Sequence, residues 1–301
     1  MAEVRAGGRS IPITHEDRIL FPRDGITKGD VIEYYRQVAP AMVPHLKGRR
    51  LTMQRYPRGI DGESFFQKEI SEYFPDWVHR VTVPKKGGTV THAVCDNAAS
   101  LVYLANQGCL TPHVGLARLP HLEHPDQMIF DLDPAEDDFE IVRSVAFSMK
   151  ELLEDIKLKG FVKTTGSRGL HLVLPLDRVL EFNEVRSIAR QIAEVLVARR
   201  PKDVTLEQLK ADRKGRLFLD TNRNGTAQTA VPAFAVRARD GAPVAVPISW
   251  DELQDKRLNA RTFHIRNAVA HLKTGNNPWT GMARAAKSLG PALDRLLKLP
   301  R

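Results

Sequence analysis

Two aspartates one residue apart, Asp131 and Asp133, close the run Met128-Ile-Phe-Asp-Leu-Asp-Pro134. The Met-Ile-Phe segment reads as a short buried strand stopped by proline. Side chains alternate along a strand, so both acids share a face and Leu132 points opposite. Carboxylates held that close repel unless a cation lies between them, and an all-oxygen site suits Mg²⁺ or Mn²⁺. The alternative is a strand ending in a polar turn with both acids solvated. A second apolar strand, Leu217-Phe-Leu-Asp220, delivers another acid at its end. A third carboxylate would complete a two-cation site.

Between them lies Val162-Lys-Thr-Thr-Gly-Ser-Arg-Gly-Leu-His171. Gly166 and Gly169 allow a tight turn whose N–H groups can cradle phosphate, and Thr164, Thr165 and Ser167 add hydroxyls. His171 follows on a strand, either as a structural histidine or as a triphosphate ligand. Arg18 and Lys28 precede a helix and are either solvated charge or phosphate contacts, since basic side chains and helix N-termini both bind phosphate. Phe65 and Phe66 are adjacent in the strand-like Ser64–Lys68, where neighbours alternate sides. One is therefore expected in the core and the other free to stack on a base. Asp212–Arg216 is a basic turn, and Arg237 and Arg239 read as sharing a face of an alternating strand.

The elements that must position these residues are legible in part. Residues 1–10 read as a loose arm. Thr27 caps a helix with Asp30 in its first turn, and Val31, Tyr35, Val38 and Met42 form its apolar stripe. Leu51–Arg55 reads as a strand, and residues 80–94 as a hairpin about Lys85-Lys-Gly-Gly88. Asn97–Ala105 is a helix, and His113 lies in a strand or loop. Asp137 or Asp138 caps a helix with Phe139, Val142, Ala146, Met149, Leu153 and Ile156 on one stripe. Residues 183–199 form another amphipathic helix, and the chain turns helical and basic beyond Trp250.

At 301 residues with 42% hydrophobic content, the chain has the length for a real core. Lys and Arg number 45 against 36 acids, a net charge of +9, which suits a polyanion such as nucleic acid. Cys95 and Cys109 make no metal-binding spacing and read as reduced core thiols of a cytosolic, nucleoid-associated protein. There is no signal-like apolar segment, no membrane-length apolar run and no internal repeat, so no membrane partner is expected.

Together these stretches resemble the polymerase domain of bacterial ligase D, in the archaeo-eukaryotic primase superfamily, from about Ile11 to about Arg266. The motifs occur in order: Phe-Asp-Leu-Asp-Pro at 130–134, Thr164-Thr-Gly-Ser-Arg-Gly-Leu-His171 and Leu217-Phe-Leu-Asp220, with Phe-Phe-x-Lys at 65–68 and Thr-Lys at 27–28. The resemblance implies an α+β primase-polymerase core: two antiparallel or mixed sheets flanked by helices, with the active cleft between them. The chain is then one catalytic domain over 1–301, its DNA- and 5′-phosphate-binding part about 1–125 and its catalytic motifs about 126–301. The implied activity is template-dependent nucleotidyl transfer in non-homologous end joining, filling gaps and extending 3′ ends, with ribonucleotides preferred.

Carried over position by position, Asp131, Asp133 and Asp220 match the catalytic ligands of two Mn²⁺ or Mg²⁺ ions. Phe65, Phe66, His113, Thr165, Arg168, His171 and Arg237 match contacts to the incoming NTP or dNTP. Arg18 and Lys28 match the downstream 5′-phosphate contacts, and Lys68 and Arg213 fall in DNA-binding elements. The implied partners are DNA with gaps or 3′ overhangs, a Ku-type end-binding protein and a DNA ligase. Thr165 stands for the family's usual serine and Arg168 for its lysine, and Pro232-Ala-Phe-Ala departs from the Ala-Pro-Tyr-Ser pattern. The Lys-x-Asp-Gly nucleophile motif of a DNA ligase does not occur in the sequence. Two other classes are weighed against this reading, an Asp-x-Asp phosphohydrolase and a non-catalytic DNA-end-binding module. The first would place its acid pair near the chain start and follow it with a threonine that Pro134-Ala135 does not supply.

Overall fold

The computed structural model describes residues 2–275 and 277–299. The chain forms two compact units. One takes the chain up to Gly115 together with Thr229–Val246 and Phe263–Gly275; the other takes Leu116–Gln228, Pro247–Thr262 and the chain after Gly275.

In the first unit, the segment expected as a loose arm is an antiparallel hairpin of Glu3–Ala6 with Arg9–Pro12. Gly7 and Gly8, at φ +54° and +77°, take the left-handed values that a two-residue hairpin turn requires. Helix α1 (Lys28–Leu46) starts as the sequence indicates. The Thr27 hydroxyl accepts from the Asp30 N–H while the Asp30 carboxylate accepts from the Thr27 N–H, a reciprocal cap. Val31, Tyr35, Val38 and Met42 are all buried. Helix α2 (Ala98–Asn106), capped by Asn97, packs on α1.

Strands β1 (Leu51–Arg55), β2 (Phe65–Gln67) and β3 (Cys109–Val114) form an antiparallel sheet in the order β2-β1-β3. Arg80–Lys85 and Gly88–Ala93 form the expected hairpin. Cys95 and Cys109 are buried free thiols, and burial pushes Cys109 up to about 12.

The strand expected for Arg237 and Arg239 does not form. Residues 229–246 make only isolated bridges, such as Val114 to Ala230 and Val236 to Val244, and Phe234 at φ +66° interrupts any extended run. The segment's backbone bonds are scattered, such as Phe234 N to Ala245 O and Arg237 N to Pro243 O, and two carbonyls accept from side chains: Tyr34 Oη donates to Phe234 O at 2.9 Å and Thr111 Oγ1 to Val236 O at 2.6 Å. The apolar alternation reflects burial on two sides, not a place in a ladder.

The second unit is built on a six-stranded sheet. Its strands are β4 (Gln127–Asp133), β5 (Phe161–Thr164), β6 (Leu170–Pro175), β7 (Val204–Thr205), β8 (Leu217–Asp220) and β9 (Pro247–Ile248). The order is β7-β8-β4-β6-β5-β9, antiparallel throughout except for the parallel pair β7–β8. Helices α3 (Phe139–Asp155) and α4 (Phe182–Arg199) pack against it. Asp138 is the residue that caps α3, and Val142, Ala146, Met149 and Leu153 are buried on its inner face. Beyond Trp250 the helical reading resolves into short pieces, Ala268–Lys273 and Gly290–Leu296. Among the described residues no helix is long and apolar enough to cross a membrane.

Candidate active site

Strand β4 sits between β6 and β8, and its register fixes the site. Asp131 lies opposite His171 on β6 and opposite Asp220 on β8, and His171 in turn lies opposite Lys163 on β5. Register partners share a face, so Lys163, His171, Asp131 and Asp220 form one row across four strands. Asp133 follows on the same face as Asp131, two residues along the strand, and Leu132 on the other face is fully buried.

The charges in this row are arranged by the protein itself. His171 Nε2 lies 3.5 Å from Asp131 Oδ2. Arg223 Nε lies 3.7 Å from the same oxygen and 3.9 Å from Asp220 Oδ2. Burial pushes the Asp131 carboxyl up, but His171, Arg223 and Lys163 overcome this and hold it at about 2. Burial, with the Lys163 charge, pushes His171 down to about 4 against the pull of Asp131. At neutral pH the row therefore carries an ionised Asp131 beside a neutral imidazole. Asp133 spends both oxygens on arginines: Arg168 donates to Oδ1 at 2.9 Å and Arg213 to Oδ2 at 3.0 Å.

The turn before His171 is closed by its own side chain. Thr165 Oγ1 donates to Gly169 O at 2.9 Å and accepts from the N–H of Ser167 at 3.2 Å. Gly166 adopts φ +64°, and Gly169 runs against the β4 backbone, where a Cβ would stand 1.7 Å from Leu132 O.

These oxygens bear on whether a divalent ion fits. Asp131 and Asp220 are brought together and already share one cationic group through their Oδ2 atoms. An all-carboxylate pair of this kind suits a hard cation. Among the described residues no three His, Cys, Asp or Glu side chains converge on a single point, and Asp133 is the acid held by arginines.

Arg213 is buried. Its remaining donors go to Glu207 O and Gln208 O, and it stacks 4.3 Å over Phe218, so here it orients Asp133.

In the first unit, Arg55 faces Phe65 and Gln54 faces Phe66 in the β1–β2 register. The expectation that one phenylalanine is core is corrected: Phe65 is 46% and Phe66 60% exposed. Strand β2 is a sheet edge only three residues long, so neither of its faces is covered. Phe66 meets His113 edge-on at 5.4 Å, and Arg55 lies 5.4 Å over Phe65. Lys68 is exposed just after the strand.

Arg18 and Lys28 line a polar pocket with Thr14, Arg55 and Asn106. The α1 N–H groups there are already engaged: Lys28 N donates to Arg18 O, Gly29 N to Glu16 O and Asp30 N to Thr27 Oγ1. An anion in this pocket would therefore meet side chains, not a helix terminus. Lys28 Nζ donates to Thr14 O at 2.5 Å, and burial with the Arg18 charge pushes it down to about 8. Arg237 lies in the irregular segment of the same unit.

Sequence reasoning missed Lys163, Arg223 and Asn224. A lysine inside the apolar Phe-Val-Lys-Thr strand was a usable signal, since a buried charge needs a reason. Asn222-Arg-Asn-Gly225 carried turn chemistry only, and nothing in it announced that Asn224 grips the β4 backbone. Its amide donates to Ile129 O at 2.7 Å and its carbonyl accepts from Ile129 N at 2.8 Å.

A mixed sheet that delivers acids from neighbouring strands onto one face is the platform of the primase-polymerase class of nucleotidyltransferases. A family model described as "LigD, primase-polymerase domain" matches residues 27–279. The multifunctional non-homologous end joining protein LigD of Mycolicibacterium smegmatis is 35% identical over 259 residues, 84% of this chain and 34% of that protein. The bifunctional LigD of Bacillus subtilis is 31% identical over 271 residues, 89% of this chain and 43% of that protein. The solved polymerase domain from Mycobacterium tuberculosis ligase D in complex with DNA superposes with a TM-score of 0.86 at 32% identity, covering 92% of this chain and 99% of that one. The chain belongs to the LigD primase-polymerase family, whose members are divalent-metal-using nucleotidyltransferases. It spans about a third of the length of the M. smegmatis relative.

Proposed function

We propose that this chain adds nucleotides to DNA 3′ ends, template-directed, at gaps and broken ends during non-homologous end joining. The observation that carries the reading is the register pairing of Asp131 with Asp220 beside Asp133, in a chain of this family. Bound there, two Mn²⁺ or Mg²⁺ ions would activate the primer 3′-OH and offset charge on the leaving pyrophosphate. The protein's own part is positioning and charge. Asp131 supplies an ionised carboxylate and Asp220 stands opposite it on β8, with Asp133 on the same face. His171 and Lys163 back them from inside the sheet, and Arg168 is held on Asp133. Phe65 and Phe66 offer exposed rings for base stacking, with His113 against Phe66. Arg237 is assigned to the triphosphate and Lys68 to the DNA side, while Arg213, drawn inward onto Asp133, acts as that acid's positioning group. Ribonucleotide preference, Mn²⁺ as the favoured ion, and a Ku-type protein and a ligase as partners belong to the same proposal, and the family resemblance is their support. Labelled ribonucleotide, Mn²⁺ and a gapped duplex test the reading. Templated incorporation is expected. Release of inorganic phosphate from a small phosphoester without DNA, or DNA-end binding without incorporation, would replace it.

The Arg18–Lys28 pocket is assigned to the downstream 5′-phosphate, and the depressed Lys28 gives that assignment a pH signature. In the free protein Lys28 loses its charge near pH 8. A phosphate dianion favours the ammonium, so binding raises the lysine pKa and takes up a proton. The phosphate-dependent share of affinity is therefore full below about pH 8 and falls by up to about tenfold per pH unit above it. Anisotropy titrations with 5′-phosphorylated and unphosphorylated gapped duplex should show this loss in the wild type and a flat profile in Lys28→Arg. Parallel profiles for the two proteins would remove Lys28 from the phosphate site.

A further inference from the structure

Arg223 reaches both members of the acid pair. Its Nε lies 3.7 Å from Asp131 Oδ2 and 3.9 Å from Asp220 Oδ2, and its side chain is 42% exposed. Both distances exceed hydrogen-bond reach, so the attraction is of charge without a directional bond.

The turn that carries Arg223 is nonetheless firmly built. Asn222 N donates to Asp220 Oδ1 at 2.7 Å, which occupies that oxygen and leaves Oδ2 towards the arginine. Asn224, 1% exposed, grips Ile129 at both N and O and also donates to Thr221 O at 2.9 Å. Arg186 holds Asn222 Oδ1 at 3.0 Å. The backbone at 222–224 is thus tied to β4 and α4, while the guanidinium it presents is only loosely engaged.

We propose that Arg223 is a displaceable counter-ion of the Asp131–Asp220 pair, which a divalent cation must move aside and which an arriving triphosphate then receives. The proposal rests on the reading of that pair as a metal site. A guanidinium stays charged at every working pH, so it competes with metal for the same two oxygens at all times. A loosely held, half-exposed cation can be displaced, and a nucleotide's phosphates offer it a better, bidentate partner. Metal alone then binds weakly, and metal together with nucleotide binds more tightly than the two do separately.

Mn²⁺ binding, read from the electron paramagnetic resonance signal of the free ion, tests this without any turnover. Wild type, Arg223→Gln, Arg223→Lys and Asp131→Asn are each titrated with and without an unreactive nucleoside triphosphate analogue. Arg223→Gln should bind Mn²⁺ alone about tenfold more tightly than wild type and lose most of the nucleotide's enhancement, a coupling of ordinary allosteric size. Arg223→Lys, which keeps the charge, should stay close to wild type. Equal Mn²⁺ binding in wild type and Arg223→Gln, abolished in Asp131→Asn, would overturn the counter-ion role and leave the metal site standing. Mn²⁺ binding that Asp131→Asn does not alter would overturn both.

Discussion

Asp131→Asn is expected to lower the rate of nucleotide incorporation by on the order of 10³-fold or more while leaving affinity for gapped DNA within about threefold. Several features of the row make Asp131 the position of largest effect. It is the acid on the central strand, opposite both Asp220 and His171. It is held ionised, at about 2, so the wild-type carboxylate is available across the working range. Asparagine keeps the shape but supplies one neutral oxygen where a cation needs charge. The cost in folding should be modest, because Arg223 is 42% exposed and can turn to water once its partner is gone. Single-turnover extension in Mn²⁺ and a DNA-binding titration measure the two halves of this expectation. Wild-type extension by Asp131→Asn would remove the acid pair from the chemistry.

Gly169→Ala should destabilise the chain by at least about 3 kcal/mol, lowering Tm by roughly 10 °C. The added Cβ would meet Leu132 O at 1.7 Å and Leu132 C at 2.9 Å, both backbone atoms of the strand between Asp131 and Asp133. Backbone cannot rotate away as a side-chain tip can, so the β4–β6 ladder must part where the acids stand. Gly166→Ala is the informative control. It sits at φ +64°, where an alanine takes on the left-handed penalty, and should cost only about 1–2 kcal/mol. Thermal melts of the two variants separate a close approach from a left-handed turn. Equal losses would mean that the Leu132 contact relaxes freely.

The parts of this site legible in sequence are those fixed by short-range rules. Alternation alone put Asp131 and Asp133 on one face, and the apolar run into Asp220 announced a second acid-bearing strand. The cap at Thr27 and the stripe of α1 follow from spacing as well. The rest depends on register, which alternation leaves open. That Asp131 faces Asp220, and that Lys163 stands in line with His171, are properties of strand pairing over long separations. The edge position of β2, which exposes both Phe65 and Phe66, is equally invisible to a residue-by-residue pattern. Val-Arg-Ala-Arg after Phe234 alternates like a strand, yet the left-handed Phe234 and the side-chain bonds from Tyr34 and Thr111 hold it outside any sheet. Arg213 shows the same limit: its place in a basic turn gave no sign that Phe218 and Asp133 would take it inward.

The threading of the two units has a genetic meaning. The chain passes from one unit to the other after Gly115, Gln228, Val246, Thr262 and Gly275. No single cut releases either unit whole: a break near 115 would strip the first unit of Thr229–Val246, and with it the acceptors of Tyr34 and Thr111. A lone recombination event therefore cannot trade one half for a foreign counterpart. The aromatic edge and the Arg18–Lys28 pocket of one unit and the acid row of the other are inherited as a single allele.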